Sequence, residues 1–353
     1  MRFHFRSLTI AACLLGLCLG NALAQDSPAC APSDGQMRRV VDMAKRSVVL
    51  PKEVRRIATV GSVPVLNGYL FALGAGEHII NGLPARFSSS GRWKLHNAIA
   101  PHLAVRPVLQ GQVNSEISIE NLVRHAPDVV LTMDLQQVRV LEKARVPVLY
   151  LEWGSLSDIH ANMRLLGCAL GRMEQSEAYL RYFDDTMQRM GRILDRIPKD
   201  ARPTVLYFNP QSMNTPLLIA NWWIAQAGGY SATADMSRTG NAHYSHERVL
   251  LWNPDVFIVS SPQQREAVYQ DERFSKIKAV RNKRVFVTPM GAHTWGQRTV
   301  EQPLTLLWAA KNFHPEYFSH IDMEEEIRSF YRRFFNYGPS DEEIRTMLDG
   351  SPG

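Results

Sequence analysis

The chain has 353 residues, of which 45% are hydrophobic and 21% charged, with a formal net charge of +6. That length and apolar content suffice for two domains around a sizeable core. The basic residues are scattered rather than blocked, which disfavours nucleic-acid binding, and no segment after the leader approaches the roughly 18 to 20 uninterrupted apolar residues that span a bilayer.

The first residues read as a secretory leader. Arg2 and Arg6 form a basic start, Leu8 to Leu19 is a short apolar run, and Ala22-Leu23-Ala24 is a small-x-small cleavage site before Gln25. A lipidation box at Cys13 is disfavoured because Cys13 lies inside that apolar run. Such a leader places the mature chain in a periplasm. Cleavage leaves Cys30 and Cys168, which could pair; Cys168, in the apolar stretch LLGCALG, is expected instead as a buried thiol. The expected division is 1–24 leader, 25–37 flexible segment, 38–172 N-terminal lobe, 173–198 linker helix and 199–353 C-terminal lobe.

In chain order, Val40 to Leu50 predicts strand, turn and strand, and Arg56 to Val60 a further strand ending at Gly61. Pro64 to Leu73 is helical, stopped by Gly74-Ala75-Gly76, and His78 to Asn81 reads as a short strand. A helix at Ile119 to His125, a buried strand at Val129 to Thr132 and a strand at Pro147 to Leu151 follow. Leu180, Phe183, Met187, Met190, Leu194 and Ile197 recur at helical spacing, so Glu174 to Ile197 is one amphipathic helix ended by Pro198. Beyond it, strands are predicted at Thr204 to Phe208, Val256 to Ser260 and Val285 to Thr288. Helices are predicted at Thr215 to Gly228, Ser245 to Leu251, Val300 to Asn312, Met323 to Phe335 and Ser340 to Leu348. Short β-runs alternating with helices define an α/β chain with parallel-rich sheets.

One phrase occurs twice. IENLVRHAPDVVL at 119–131 matches HERVLLWNPDVFI at 246–258, with Glu120 over Glu247, Pro127 over Pro254 and Asp128 over Asp255, each 127 residues apart. A serine precedes each glutamate by two (Ser118, Ser245). The duplication predicts two similar lobes with a ligand between them. A glutamate after a serine cap also simply complements its helix dipole, and that alternative stays open on the residues alone.

Ligands of α/β sheets bind beyond the carboxyl ends of strands. The loops there carry Arg92, Trp93, Lys94 and His96; Trp153; Asn209; His243, Tyr244 and His246; and His293, Trp295 and Arg298. From these, Trp93, His96, Trp153, Tyr244, Trp295 and Arg298 are the expected ligand contacts, and His243 and His293 the candidate metal contacts. No nucleophile elbow, phosphate-cradling GxxxxGK[ST], HExxH or CxxC is present.

Taken in order, the opening VVDMAKRSVVLPKEVRRIATVG, both Glu…Pro-Asp repeats, the long helix, AVRNKRVFVTP, WGQRTVEQPLTLLWAAKNFHPEYF and FYRRFFNYGPSDEEI make the chain resemble one family over about residues 38 to 337. That family is the class III periplasmic solute-binding proteins of ABC importers, which take up ferric siderophores, haem, cobalamin and related metal chelates. It usually has Gly where this chain has Lys45. The resemblance implies two α/β lobes joined by a rigid helix, a ligand cleft between them and little closure. It also implies a monomer with no permanent cofactor, and a glutamate from each lobe docking on arginines of the membrane permease; Glu120 and Glu247 occupy those positions. The expected function is capture of a metal chelate, with a ferric siderophore leading because Trp93, Trp153 and Trp295 supply apolar area. Nickel or cobalt, haem, cobalamin and an oxoanion such as molybdate are the alternatives within the class. A periplasmic enzyme or chelate reductase on the same scaffold, and a sensor protein, are alternatives outside it.

Overall fold

The computed structural model describes residues 35, 37–88, 92–111, 117–215, 219–236 and 242–351. The leader at 1–24 and most of the segment at 25–37 lie outside them. Eleven strands occur in the described residues: β1 (Met37–Val41), β2 (Ser47–Pro51), β3 (Ile57–Val60), β4 (Val129–Thr132), β5 (Val148–Tyr150), β6 (Thr204–Tyr207), β7 (Asn214–Thr215), β8 (Tyr230–Ser231), β9 (Ala242–His243), β10 (Val256–Val259) and β11 (Val285–Val287). The N-terminal half holds a parallel sheet in the order β3-β4-β5, and the C-terminal half one in the order β11-β10-β6-β8. Strands β3, β4 and β10 are buried at every position, as continuous apolar runs covered by helices on both faces must be.

The predicted hairpin is the pair β1-β2. Its turn places Lys45 at φ 62, in the left-handed region, which is why glycine suits that position. Asp42 holds the turn by accepting from the N–H groups of Ala44 and Arg46, and ties it to the sheet by accepting from Tyr150 N at 3.0 Å.

The strand expected at His78 to Asn81 does not form. Residues Gly76–His78 make a 3₁₀ turn, and Ile79 touches β3 through a single bridge. The Asn81 amide takes the place of a fourth strand, accepting from Thr59 N at 2.9 Å and donating to Thr59 O at 3.0 Å. The helix expected from Thr215 runs over Ile219–Gln226, with Thr215 itself in β7; residues 216–218 lie outside the described residues.

The long helix spans Met173–Leu194, 22 residues, or roughly 33 Å. It buries Tyr179, Leu180, Phe183, Met190 and Leu194 in one continuous core. That core includes Ile57, Leu66 and Leu131 from one half and Val205, Trp223 and Leu304 from the other. Tyr179 Oη donates to Val300 O at 2.6 Å. Because the two halves share this core rather than meeting through a thin strand hinge, moving them apart would expose apolar surface.

The repeat has a structural cause. In both copies the serine caps a short helix, Ser118 accepting from Asn121 N and Ser245 from Arg248 N, each at 3.3 Å. The helices end in left-handed residues at equivalent positions, Ala126 and Asn253, both at φ 41. Each Pro-Asp then clips the start of the neighbouring strand. Asp128 accepts from Arg55 N and Arg56 N at 2.8 and 2.9 Å, and Asp255 from Thr204 N at 2.9 Å. The expectation of a buried thiol at Cys168 is corrected: Cys168 is disulfide-bonded. The sequence around it could not separate the two, because sulfur packs as a small apolar group in either state.

Candidate functional site

A cavity of about 440 Å³ opens between the halves, beyond the carboxyl ends of β3, β10 and β11. Ser62 and Val65 after β3, and Arg86, Phe87, Arg92 and Trp93, line it from the N-terminal half. Ser260 after β10, with His293, Thr294, Gln297 and Arg298 after β11, lines it from the other. A wider depression of about 670 Å³ around Arg38, Glu53 and His78 lies within the N-terminal half and mixes both charge signs.

Three arginines reach the cavity, and no carboxylate occurs among its described lining residues. Arg92 donates to Ser260 O at 3.3 Å and lies 3.9 Å from Met290 Sδ, bridging the two halves. Arg86 sits 5.7 Å from the Phe87 ring centre. Arg298 lines the cavity from the loop after β11. None of the three has an ion-pair partner among the described residues. Burial holds Arg92 and Arg298 below the ordinary guanidinium value, Arg92 relieved slightly by Tyr207 and Arg298 by Tyr69 and Tyr150. Guanidinium stays protonated in proteins, so these are partly desolvated charges without a counter-charge.

The loop carrying His293 to Arg298 is held from beneath by one buried carboxylate. Glu301 accepts from His293 N at 2.8 Å, Trp295 Nε1 at 3.0 Å, Tyr331 Oη at 2.6 Å and Thr299 Oγ1 at 3.2 Å. Tyr331 Oη in turn accepts from Ala292 N at 2.7 Å. Burial pushes the Glu301 carboxyl up, opposed by these four donors. Gly291 is required beside it, since a Cβ there would lie 1.9 Å from Glu301 Oε1. Gly296 is required where the loop passes Tyr207, whose Oη would be 2.6 Å from a Cβ.

Of the expected contacts, Trp93, His293 and Arg298 come together on the cavity wall. The rings of Trp93 and His293 stand 4.8 Å apart. His96 lies behind that wall, wholly buried, with Nε2 2.7 Å from Ala292 O and Nδ1 unpartnered. Burial pushes His96 down to about 4 and His293 to about 3, so both are neutral near pH 7. Trp153 and Trp295 are core residues; the first packs on Tyr69 and the second is tied to Glu301. Tyr244 bonds Thr215 Oγ1 at 3.1 Å and packs on Trp252, while His243 is exposed on β9; neither lines the cavity. Among the described residues no three His, Cys, Asp or Glu side chains converge as a metal-binding group.

Sequence reasoning missed Arg86, Phe87, Ser260, Gln297 and Glu301. Arg86 and Phe87 lie on the four-residue helix Ala85–Ser88, too short to leave a periodic signal. Glu301 reads as an ordinary charge ahead of a helix, and only its burial separates it from a surface carboxylate.

Glu120 and Glu247 are both exposed and absent from the cavity lining. Glu120 pairs with Arg124 at 2.7 Å. Glu247 is held below the ordinary carboxylate value by the Ser245 hydroxyl and its own N–H.

Two lobes with parallel sheets, a rigid joining helix and a cationic interlobe cavity define a two-lobed solute-binding protein. The periplasmic binding protein family matches residues 98–291, more than half of the chain, and the chain belongs to that family. It is 24% identical over 362 aligned residues to the molybdate-binding protein MolA of Haemophilus influenzae, covering 94% of this chain and 96% of the relative. A periplasmic solute-binding protein from Veillonella parvula superposes with a TM-score of 0.77 at 27% identity, covering 89% of this chain and 97% of the other. The molybdate-bound structure of MolA, from an ABC transporter, superposes with a TM-score of 0.74 at 22% identity, covering 86% and 99%. The relatives are solute-binding transport proteins, whose ligands are cargo rather than permanent cofactors.

Proposed function

We propose that this protein is the periplasmic substrate-binding component of an ABC importer, that it captures a compact anion, and that an oxoanion such as molybdate is the first candidate. It acts by binding and delivery, without catalysis. The reading is carried by one observation. Arg86, Arg92 and Arg298 converge on a cavity with no carboxylate among its described lining residues. An entering anion supplies the missing counter-charge and accepts charge-assisted hydrogen bonds. Ser62, Ser260, Thr294 and Gln297 add neutral polar groups around it. A bare divalent cation would meet three like charges instead, which argues against free nickel or cobalt. The relationship to MolA supports the same reading.

The second reading is an anionic metal chelate such as a ferric siderophore. Phe87 and Trp93 favour it, their rings 5.1 Å apart on one wall. Of the three tryptophans that would favour a bulky ligand, however, Trp153 and Trp295 are buried in the core and only Trp93 lines the cavity. On either reading Glu120 and Glu247 meet the importer's permease. Titration of the intrinsic tryptophan fluorescence with molybdate, tungstate, sulfate, phosphate, nickel and a ferric siderophore tests the proposal. Saturable molybdate or tungstate binding supports it. Binding of nickel with no response to any anion would overturn it.

A further inference from the structure

We infer that the two docking ends are unequal, and that the C-terminal one, built from Glu247, Leu250 and Leu251, is the main anchor on the permease. The inference rests on the docking role proposed above for the paired glutamates. Each helix runs back to the strand that follows it through a short Pro-Asp connection. Its first turn therefore sits toward the strand's carboxyl end, on the cleft edge of its lobe. On a helix, residues three and four positions on share a face with the first. In the N-terminal copy that face carries Glu120, Val123 and Arg124; in the C-terminal copy it carries Glu247, Leu250 and Leu251.

The apolar position is duplicated along with the acid. Val123 is 50% exposed, Leu250 45% and Leu251 74%. The fourth position is where the copies part. Arg124 closes an ion pair with Glu120 at 2.7 Å, so the N-terminal patch is close to neutral. Leu251 stands at the equivalent position, and Glu247 has no ion-pair partner among the described residues. The C-terminal patch thus offers a carboxylate that is hydrogen-bonded by Ser245 and its own N–H but not ion-paired, beside two exposed leucines. The occupant it fits is a permease surface with a basic side chain next to an apolar pocket. At the N-terminal end a permease cation would face Arg124, a like charge, on approach.

The test is binding of the full mature protein, without added ligand, to its cognate importer in nanodiscs. Glu247→Gln and Leu251→Arg should each weaken binding about tenfold or more, and Leu251→Ala by a few fold; Glu120→Gln should weaken it by no more than about threefold. Arg124→Ala should leave binding unchanged or tighten it. Unchanged melting temperatures establish that each variant is folded. If Glu120→Gln weakens binding as much as Glu247→Gln, and Leu251→Arg is silent, the inequality is wrong while docking stands. If even the double glutamine variant binds normally, the docking reading itself fails. Dimerisation in solution that Leu251→Arg abolishes would seat a second copy of this chain on the patch and overturn the proposal.

Discussion

Replacing Glu301 by alanine separates the shape of the cavity from its charge. Four donors converge on this carboxylate: His293 N, Trp295 Nε1, Tyr331 Oη and Thr299 Oγ1. The two hydroxyls can rotate toward other acceptors, but the peptide N–H and the buried indole cannot. A buried donor left unsatisfied costs about 1–3 kcal/mol, so those two cost roughly 2–6 kcal/mol. Against this, removing a buried carboxylate recovers part of its desolvation penalty, itself several kcal/mol. Water entering the vacated space satisfies some donors as well. A net loss of about 3 kcal/mol is expected, or roughly 4 °C in Tm for a cooperative unit of this size. The same change loosens the loop carrying His293, Gln297 and Arg298, so anion affinity should fall although Glu301 lines no part of the cavity. Glu301→Gln keeps one acceptor oxygen and should fall between wild type and alanine on both measures. Differential scanning calorimetry and isothermal titration with molybdate read the two effects. A Tm within about 1 °C of wild type, with unchanged affinity, would refute the reasoning.

Arg298→Ala should weaken molybdate binding by roughly 10- to 150-fold, the equivalent of about 1.5–3 kcal/mol for a lost charge-assisted contact; isothermal titration checks it, and wild-type affinity would remove Arg298 from the site. Ala126 occupies the left-handed position that Asn253 fills in the other copy, so Ala126→Asn should stabilise the protein by about 0.5–1 kcal/mol in urea denaturation. His96 is pushed down to about 4 by burial. The stability its neutral form contributes is present above the ordinary histidine value near 6.5 and is lost as pH falls toward 4. At about 1.4 kcal/mol per pH unit this amounts to roughly 3 kcal/mol, and His96→Asn should flatten that part of a denaturation series from pH 7 to pH 4.

Local chemistry fixed the elements. Strands β3, β4, β6 and β10 and the Met173–Leu194 helix fall within a few residues of their predicted spans, because continuous apolar runs and 3.6-residue periodicity are properties of the chain itself. The duplicated Glu…Pro-Asp phrase revealed the two-lobed plan for the same reason. Cap, turn and strand clip are each made by residues close together in sequence. The His78 to Asn81 strand failed because a side chain, Asn81, took hydrogen bonds a backbone would otherwise make, a substitution that propensity cannot register. The site divided along the same line. The loops after the strands could be named from topology, and three expected residues meet there. Which tryptophans face the cleft depended on packing across some 200 residues of chain, such as Trp93 against His293. Whether Glu301 is a surface charge or the buried support of a binding loop depended on Tyr331, 30 residues further on. The sequence alone determined the lobes, the joining helix and the repeat. Only the tertiary structure decided which cations share a cavity without a counter-charge, since charge compensation depends on distance in space rather than along the chain.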